Sequence, residues 1–137
     1  MGMLTNIDDT WETLVVAAAG EIANDETTSN PSTNNTLEIA GVDEVTVRPK
    51  AFDLDTATSI DLYPQVCDDG SEWAYCTYPG GDVIVWNLDF DGTRESRAFP
   101  PVQTRGYKFR VLVGSTGTAG DETLSLDAMR HRRVDMP

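Results

Sequence analysis

The residues best suited to chemistry in this sequence are acidic, and they fall into two groups. Asn87, Asp89, Asp91 and Gly92 occupy the first, third, fifth and sixth positions of a calcium-loop pattern of the EF-hand type. The twelfth position, which needs a bidentate carboxylate, is Ala98. A hairpin turn at Asp91-Gly92 accounts for the same residues without a metal. Asp53, Asp55 and Asp61, with Thr56 and Thr58 between them, offer a second set of hard-cation oxygens. With 15 aspartates in the chain such a cluster arises by chance, and it reads as a solvated loop.

Cys67 and Cys76 flank the segment DDGSEWAY, with a turn expected at Asp68-Asp69-Gly70. They are a candidate disulfide across neighbouring strands if their Cα atoms lie about 4.4 to 6.8 Å apart, and otherwise two buried thiols. Zinc has no four-ligand set, because His131 is the single histidine. A Ser-His-Asp arrangement would also need His131, which sits among Arg130, Arg132 and Arg133, and no serine lies in the strand-turn-helix context of an activated nucleophile. The glycine-rich GSTGTAG, Gly114 to Gly120, lacks the lysine of a phosphate-binding loop and precedes a strand instead of a helix. Asn34-Asn35-Thr36 is formally a glycosylation acceptor, relevant only in a glycosylating compartment. The residues therefore point to a protein that is not an enzyme, with no catalytic residue, no metal and no cofactor.

The charge is more telling than any motif. The net charge is -13, from 23 acidic and 10 basic residues, and only Lys50 and Lys108 are lysines. A field of this sign repels phosphates and anionic lipid heads, so neither nucleic acid nor a membrane is an expected partner. Short hydrated carboxylates with few lysines suit a surface kept soluble in high salt, where screening relieves self-repulsion. Six of the ten basic residues, Arg105, Lys108, Arg110, Arg130, Arg132 and Arg133, lie from Arg105 onward, which makes the C-terminal third relatively basic. Arginines there could pair bidentately with carboxylates of an adjacent subunit, or pair within the domain.

The elements that must position these groups are strands. At 137 residues the chain has room for one core. Met1 to Asp9 shows no secretory-signal pattern, and the longest apolar stretch, Leu14 to Ala19, is far short of a membrane span. Trp11 to Ala18 reads as a strand apolar on both sides, which suits an interior or interface strand. Asn24 to Asn35, NDETTSNPSTNN, has too little apolar surface to order itself and should be mobile unless a neighbour holds it. Period-two alternation then marks Leu37 and Ile39, Val45 and Val47, Ile60 and Leu62, Trp73 and Tyr75, Ile84 to Phe90, and Tyr107 to Val113. Pro49, Pro64 and Pro100-Pro101 are expected to close strands. A final strand containing Leu124 and Leu126 could run as far as Val134.

Eight or nine short strands without an amphipathic helix predict an all-β chain, a single β-sandwich of jelly-roll or immunoglobulin-like topology. Residues 1–35 would form an N-terminal strand or arm with its polar loop, and residues 36–137 the sandwich body, in one domain overall.

In this general character, acidic, strand-rich and without a signal peptide, the chain resembles the small β-sandwich structural proteins of tailed viruses that infect salt-loving archaea. The resemblance implies a structural subunit of a virion, such as a capsid decoration, turret or tail-associated protein. Its partners would be copies of itself and other virion proteins, and it would assemble in the host cytoplasm. Trp11, Val15, Arg130, Arg132 and Arg133 are the candidate interface residues. The alternative is a carbohydrate-binding β-sandwich presenting Trp73, Tyr75 or Trp86 to a glycan, with Trp86 better explained as core. The charge pattern predicts that thermal stability falls as salt is lowered from molar to millimolar; melting curves unchanged across that range would remove the salt-adapted reading.

Overall fold

The computed structural model describes residues 2–6, 11–68, 71–89 and 97–135. Eleven strands lie among them: β1 (Gly2–Asn6), β2 (Glu12–Ala17), β3 (Thr33–Asn34), β4 (Leu37–Glu38), β5 (Glu44–Asp53), β6 (Ala57–Cys67), β7 (Trp73–Tyr75), β8 (Trp86–Leu88), β9 (Val102–Gln103), β10 (Lys108–Gly117) and β11 (Thr123–Asp135). They form two antiparallel sheets. The first runs β3-β2-β11-β5-β9, with β1 also on β11; the second runs β4-β10-β6-β7, with β8 also on β6. The all-β expectation is met with more strands than the alternation revealed, because β3 and β9 are only two residues long, whereas the equally short β4 carries the expected Leu37.

Alternation works where strands are long. Val45 and Val47 from β5, Ile60 and Leu62 from β6, and Phe109, Val111 and Val113 from β10 all enter one hydrophobic core between the sheets. Tyr107 lies just before β10 and remains exposed. In β2 the strict alternation fails. Val15 pairs with Leu126 and Thr13 with Asp127, so Leu14 is an extra residue in a bulge, and Leu14 and Val15 are both fully buried.

Pro49 and Pro64 do not end their strands. Leu126 pairs with Pro49 and Ser125 with Ala51, which places Pro49 beside a bulge at Lys50, where β5 needs no regular ladder bond from it. Pro64 turns its carbonyl toward Cys76, whose N–H donates to it at 2.9 Å just past the end of β7. Its missing N–H therefore faces the side where the ladder runs out. The turn at Asp91-Gly92, Phe90, and the strand expected from Arg94 lie wholly or mostly outside the described residues.

The polar segment 24–35 is held by β10. Thr27 and Val113 exchange two backbone hydrogen bonds of 3.0 and 3.1 Å, and the Ser115 hydroxyl donates to Asn24 Oδ1 at 2.9 Å. Ile22 and Pro31 are buried at its ends, and the Glu21 carboxylate accepts from Ser32 N at 3.0 Å, closing its base. Gly114 lies closely under this crossing, and a Cβ there would sit 3.2 Å from the Glu26 nitrogen and push the segment outward by a few tenths of an ångström. β10 runs on to Gly117 through residues that read as a glycine-rich loop, because β6 pairs with it as far as Ala57 opposite Gly117. The Asn34 amide then reaches back across the core to Val111 O at 3.0 Å and ties the segment to both sheets.

Where the chain passes from β5 to β6 and from β10 to β11, one carboxylate joins the two crossings. Glu122 is fully buried. Its Oε2 accepts from the backbone N–H of Asp55 at 2.7 Å, Thr56 at 2.9 Å and Ala57 at 3.3 Å, and its Oε1 accepts from Gly120 at 2.7 Å. Burial works against the charge, but these four donors outweigh it and hold the carboxyl below its ordinary value of 4.5. A Cβ at Gly120 would lie 2.6 Å from Asp55 Oδ2, so any other residue there would have to displace the Asp55 side chain. Glu122→Ala should cost about 3 kcal/mol in urea unfolding, because it leaves buried N–H donors unmatched. Because the folded pKa is depressed, the group's stabilisation is complete above its unfolded pKa and is lost as pH falls through the folded value. The stability gap between wild type and Glu122→Gln should therefore narrow on acidification below pH 4.5; a gap independent of pH would contradict this account.

Candidate functional site

The outer face of the second sheet carries a group of residues assembled from three strands. Alternation that sends Ile60, Leu62 and Val66 of β6 toward the core sends Asp61, Tyr63, Gln65 and Cys67 outward. Register places Trp73 of β7 beside Cys67 and Tyr75 beside Gln65, while on the other side Lys108 of β10 lies beside Cys67 and Arg110 beside Gln65. Arg110 reaches over β6, and its guanidinium carbon lies 4.0 Å from the centroid of the Trp73 ring. Its Nε donates to Gln65 Oε1 at 2.9 Å, and Gln65 is itself buried. Tyr63 and Tyr75 meet edge to face at 6.1 Å, and Tyr75 remains 43% exposed.

Electrostatics support this placement. Burial draws the Arg110 pKa down from its ordinary value, opposed by the nearby Cys67 and Tyr75. Tyr63 is pushed up, first by burial and then by the Glu26 carboxylate of the polar segment. In the same face Asp61 is buried and accepts from Ser59 Oγ at 2.8 Å, Asn87 Nδ2 at 2.7 Å and Thr116 Oγ1 at 2.5 Å.

The residues singled out by sequence are scattered by the fold. Asn87 is bonded to Asp61, and Asp91 and Gly92 lie outside the described residues. Asp55 accepts from Asp121 N at 2.9 Å and Asp53 is exposed, so the second acidic stretch is dispersed; among the described residues no group of three potential ligands converges. His131 shares a 2.8 Å hydrogen bond with Thr46 Oγ1. The Asn34 amide nitrogen is committed to Val111 O, so it is not presented as a glycosylation acceptor. Trp86 is buried and stacks on Phe99 with centroids 4.5 Å apart. It floors a cleft of about 520 Å³ whose rim includes Tyr78, Pro79, Pro100 and Pro101.

Of the interface candidates, Val15 points into the core, on the same side as Ala17 and opposite buried Leu126. Trp11 is half-buried, with the Arg48 guanidinium 4.2 Å from its ring. Arg130 bridges the sheets: it pairs with Glu12 at 3.1 Å and donates to Glu38 O at 3.0 Å. Arg132 is exposed and stands opposite Thr5 in the β1–β11 pairing, where Arg133 stands opposite Leu4. Gln65 was not legible as a partner of Arg110, although outward alternation in YKFRVLV already separates Arg110 from Phe109 and Val111.

Cys67 pairs with Trp73, whereas Cys76 lies opposite Pro64, three positions along β6. Three strand steps amount to about 10 Å, beyond the about 7 Å that a disulfide spans. Both cysteines are buried free thiols, and burial pushes Cys76 up to about 12. No family model, curated protein or solved structure matches the chain, and among the described residues no helix is long and apolar enough to cross a membrane. Alkylation at neutral pH should leave Cys76 unmodified in the native protein and label both cysteines after denaturation without reductant; failure to label them would reveal a disulfide.

Proposed function

We propose that this chain is a non-enzymatic structural subunit of a virion, a capsid decoration, turret or tail-associated protein that assembles with copies of itself and other virion proteins. The observation that carries this reading is the ribbon at the chain's ends. β1 pairs with β11 from Gly2 opposite Asp135 to Asn6 opposite His131, whereas β5 pairs with β11 only as far as His131 opposite Glu44. Beyond that point β11 has β1 on one side and, among the described residues, no strand on the other. A two-stranded ribbon alone is marginal in water, and its open backbone edges are templates for a neighbouring chain. Exposed Arg132 on this ribbon suits a neighbour whose surface is as acidic as this chain's own.

The strand order supports the jelly-roll form of the sandwich. β2-β11-β5-β9 faces β4-β10-β6-β7, so each sheet interleaves early and late strands, and the first and last of these eight lie side by side. Jelly rolls recur in viral capsid and lectin domains, an analogy at the level of fold. The salt-adapted charge fits assembly in the cytoplasm of a salt-loving host.

Sedimentation velocity of the full chain in molar salt should show a symmetric oligomer. Leu4→Pro combined with Arg133→Pro, which interrupts the ribbon, should give a folded monomer with unchanged circular dichroism. A wild-type monomer at all salt concentrations, or an oligomer that survives both prolines, would overturn the proposal.

A further inference from the structure

The arginines of the two sheets are treated differently. On the first sheet Arg48 pairs with Asp127 at 3.3 Å and Arg130 pairs with Glu12. On the outer face of the second sheet neither Arg110 nor Lys108 has, among the described residues, a carboxylate within ion-pair distance. In a chain with 23 acidic residues that is a notable placement, because a carboxylate partner would be easy to supply. Arg110 is held instead by Trp73 and Gln65. Its Nε is taken, its ring-facing surface is covered, and its two terminal amino groups have no described hydrogen-bond partner.

A guanidinium fixed in this way is a preorganised fork for a planar anion, and a carboxylate matches it with two parallel hydrogen bonds. Beside it, the exposed ring of Tyr75 offers an apolar surface against which the C–H face of a pyranose can lie, while its hydroxyl remains available to sugar hydroxyls. Buried Gln65 fixes the arginine from beneath, and Tyr63 packs edge-on against Tyr75. The complement of this surface is one molecule with a carboxylate and a flat C–H face side by side.

We propose that Arg110, Trp73, Tyr75 and Gln65 form a binding site for an acidic sugar, a uronic-acid unit whose carboxylate sits on Arg110 and whose ring lies on Tyr75. The site is independent of the terminal ribbon, so it stands or falls separately from the assembly reading. Lys108, two residues from Arg110 on the same face, stands opposite Glu38 of β4, so the carboxylate of the sugar is assigned to Arg110 alone.

The test is calorimetric titration of the full chain at fixed ionic strength with trigalacturonate, galactotriose and triglutamate. Saturable binding of trigalacturonate is expected, with galactotriose and triglutamate each more than about tenfold weaker. Arg110→Gln and Tyr75→Ala should each weaken trigalacturonate binding by more than about tenfold while the melting temperature confirms folding. If Arg110→Gln does not fold, Tyr75→Ala decides, because its ring is exposed. Three results would overturn the proposal: no saturable binding of trigalacturonate, equal binding of galactotriose or triglutamate, or affinity for trigalacturonate untouched in a folded variant.

Discussion

At one end of the sandwich the chain changes sheets twice, from β5 to β6 and from β10 to β11, and both passages converge on the carboxylate of Glu122. Those four strands include the longest in the molecule and supply most of the central ladders. Fixing their ends against each other fixes the offset of one sheet over the other, and with it which side chains meet in the core. The four N–H groups that Glu122 receives belong to turns that could not pair with each other by backbone alone. A neutral side chain would satisfy fewer of them, and the Ala57 N–H among them is buried with Glu122. Opening this one contact would expose buried polar groups in both turns at once.

The second dependence runs from this end to the polar segment. Because β10 is held in register by β6 on one side, its other edge is available along Phe109 to Val113, and β4 and Thr27 take it up. A segment with almost no apolar residues is thereby ordered by backbone pairing with an already formed strand. The cost of ordering it is met by a neighbour, and the glycine at 114 leaves room for the tight approach.

Much of the sandwich was legible in the sequence. Alternation in Val45–Val47, Ile60–Leu62 and Phe109–Val113 identified core-facing residues because both faces of those strands have distinct solvents. It failed where geometry depends on the partner. The bulge at Leu14 exists only relative to β11, and Pro49 and Pro64 are tolerated only because of which side their neighbours occupy. Glu122 sits in GDETLS, where nothing separates it from 22 other acidic residues until its N–H donors are seen. The outer-face group was half legible: Trp73 and Tyr75 share a face in the sequence, but Arg110 and Gln65 join them only through the register of β10, β6 and β7. Val15, apolar in a strand that reads as two-sided, could not be assigned a face until its pairing opposite Leu126 was seen.

The pairing of Gly2 with Asp135 has a mechanical consequence. A force pulling those two residues apart acts across the ladder and not along it, so it loads one hydrogen-bonded pair at a time. The ribbon would part as a zipper, pair by pair from its tip toward Asn6 and His131, at low force and with little resistance from the core. A pull transmitted from Gly2 to a point in β6 would travel through the sheets before it met a weak link. A subunit anchored by both ends would peel open, whereas one anchored by a single end and loaded through its face would hold.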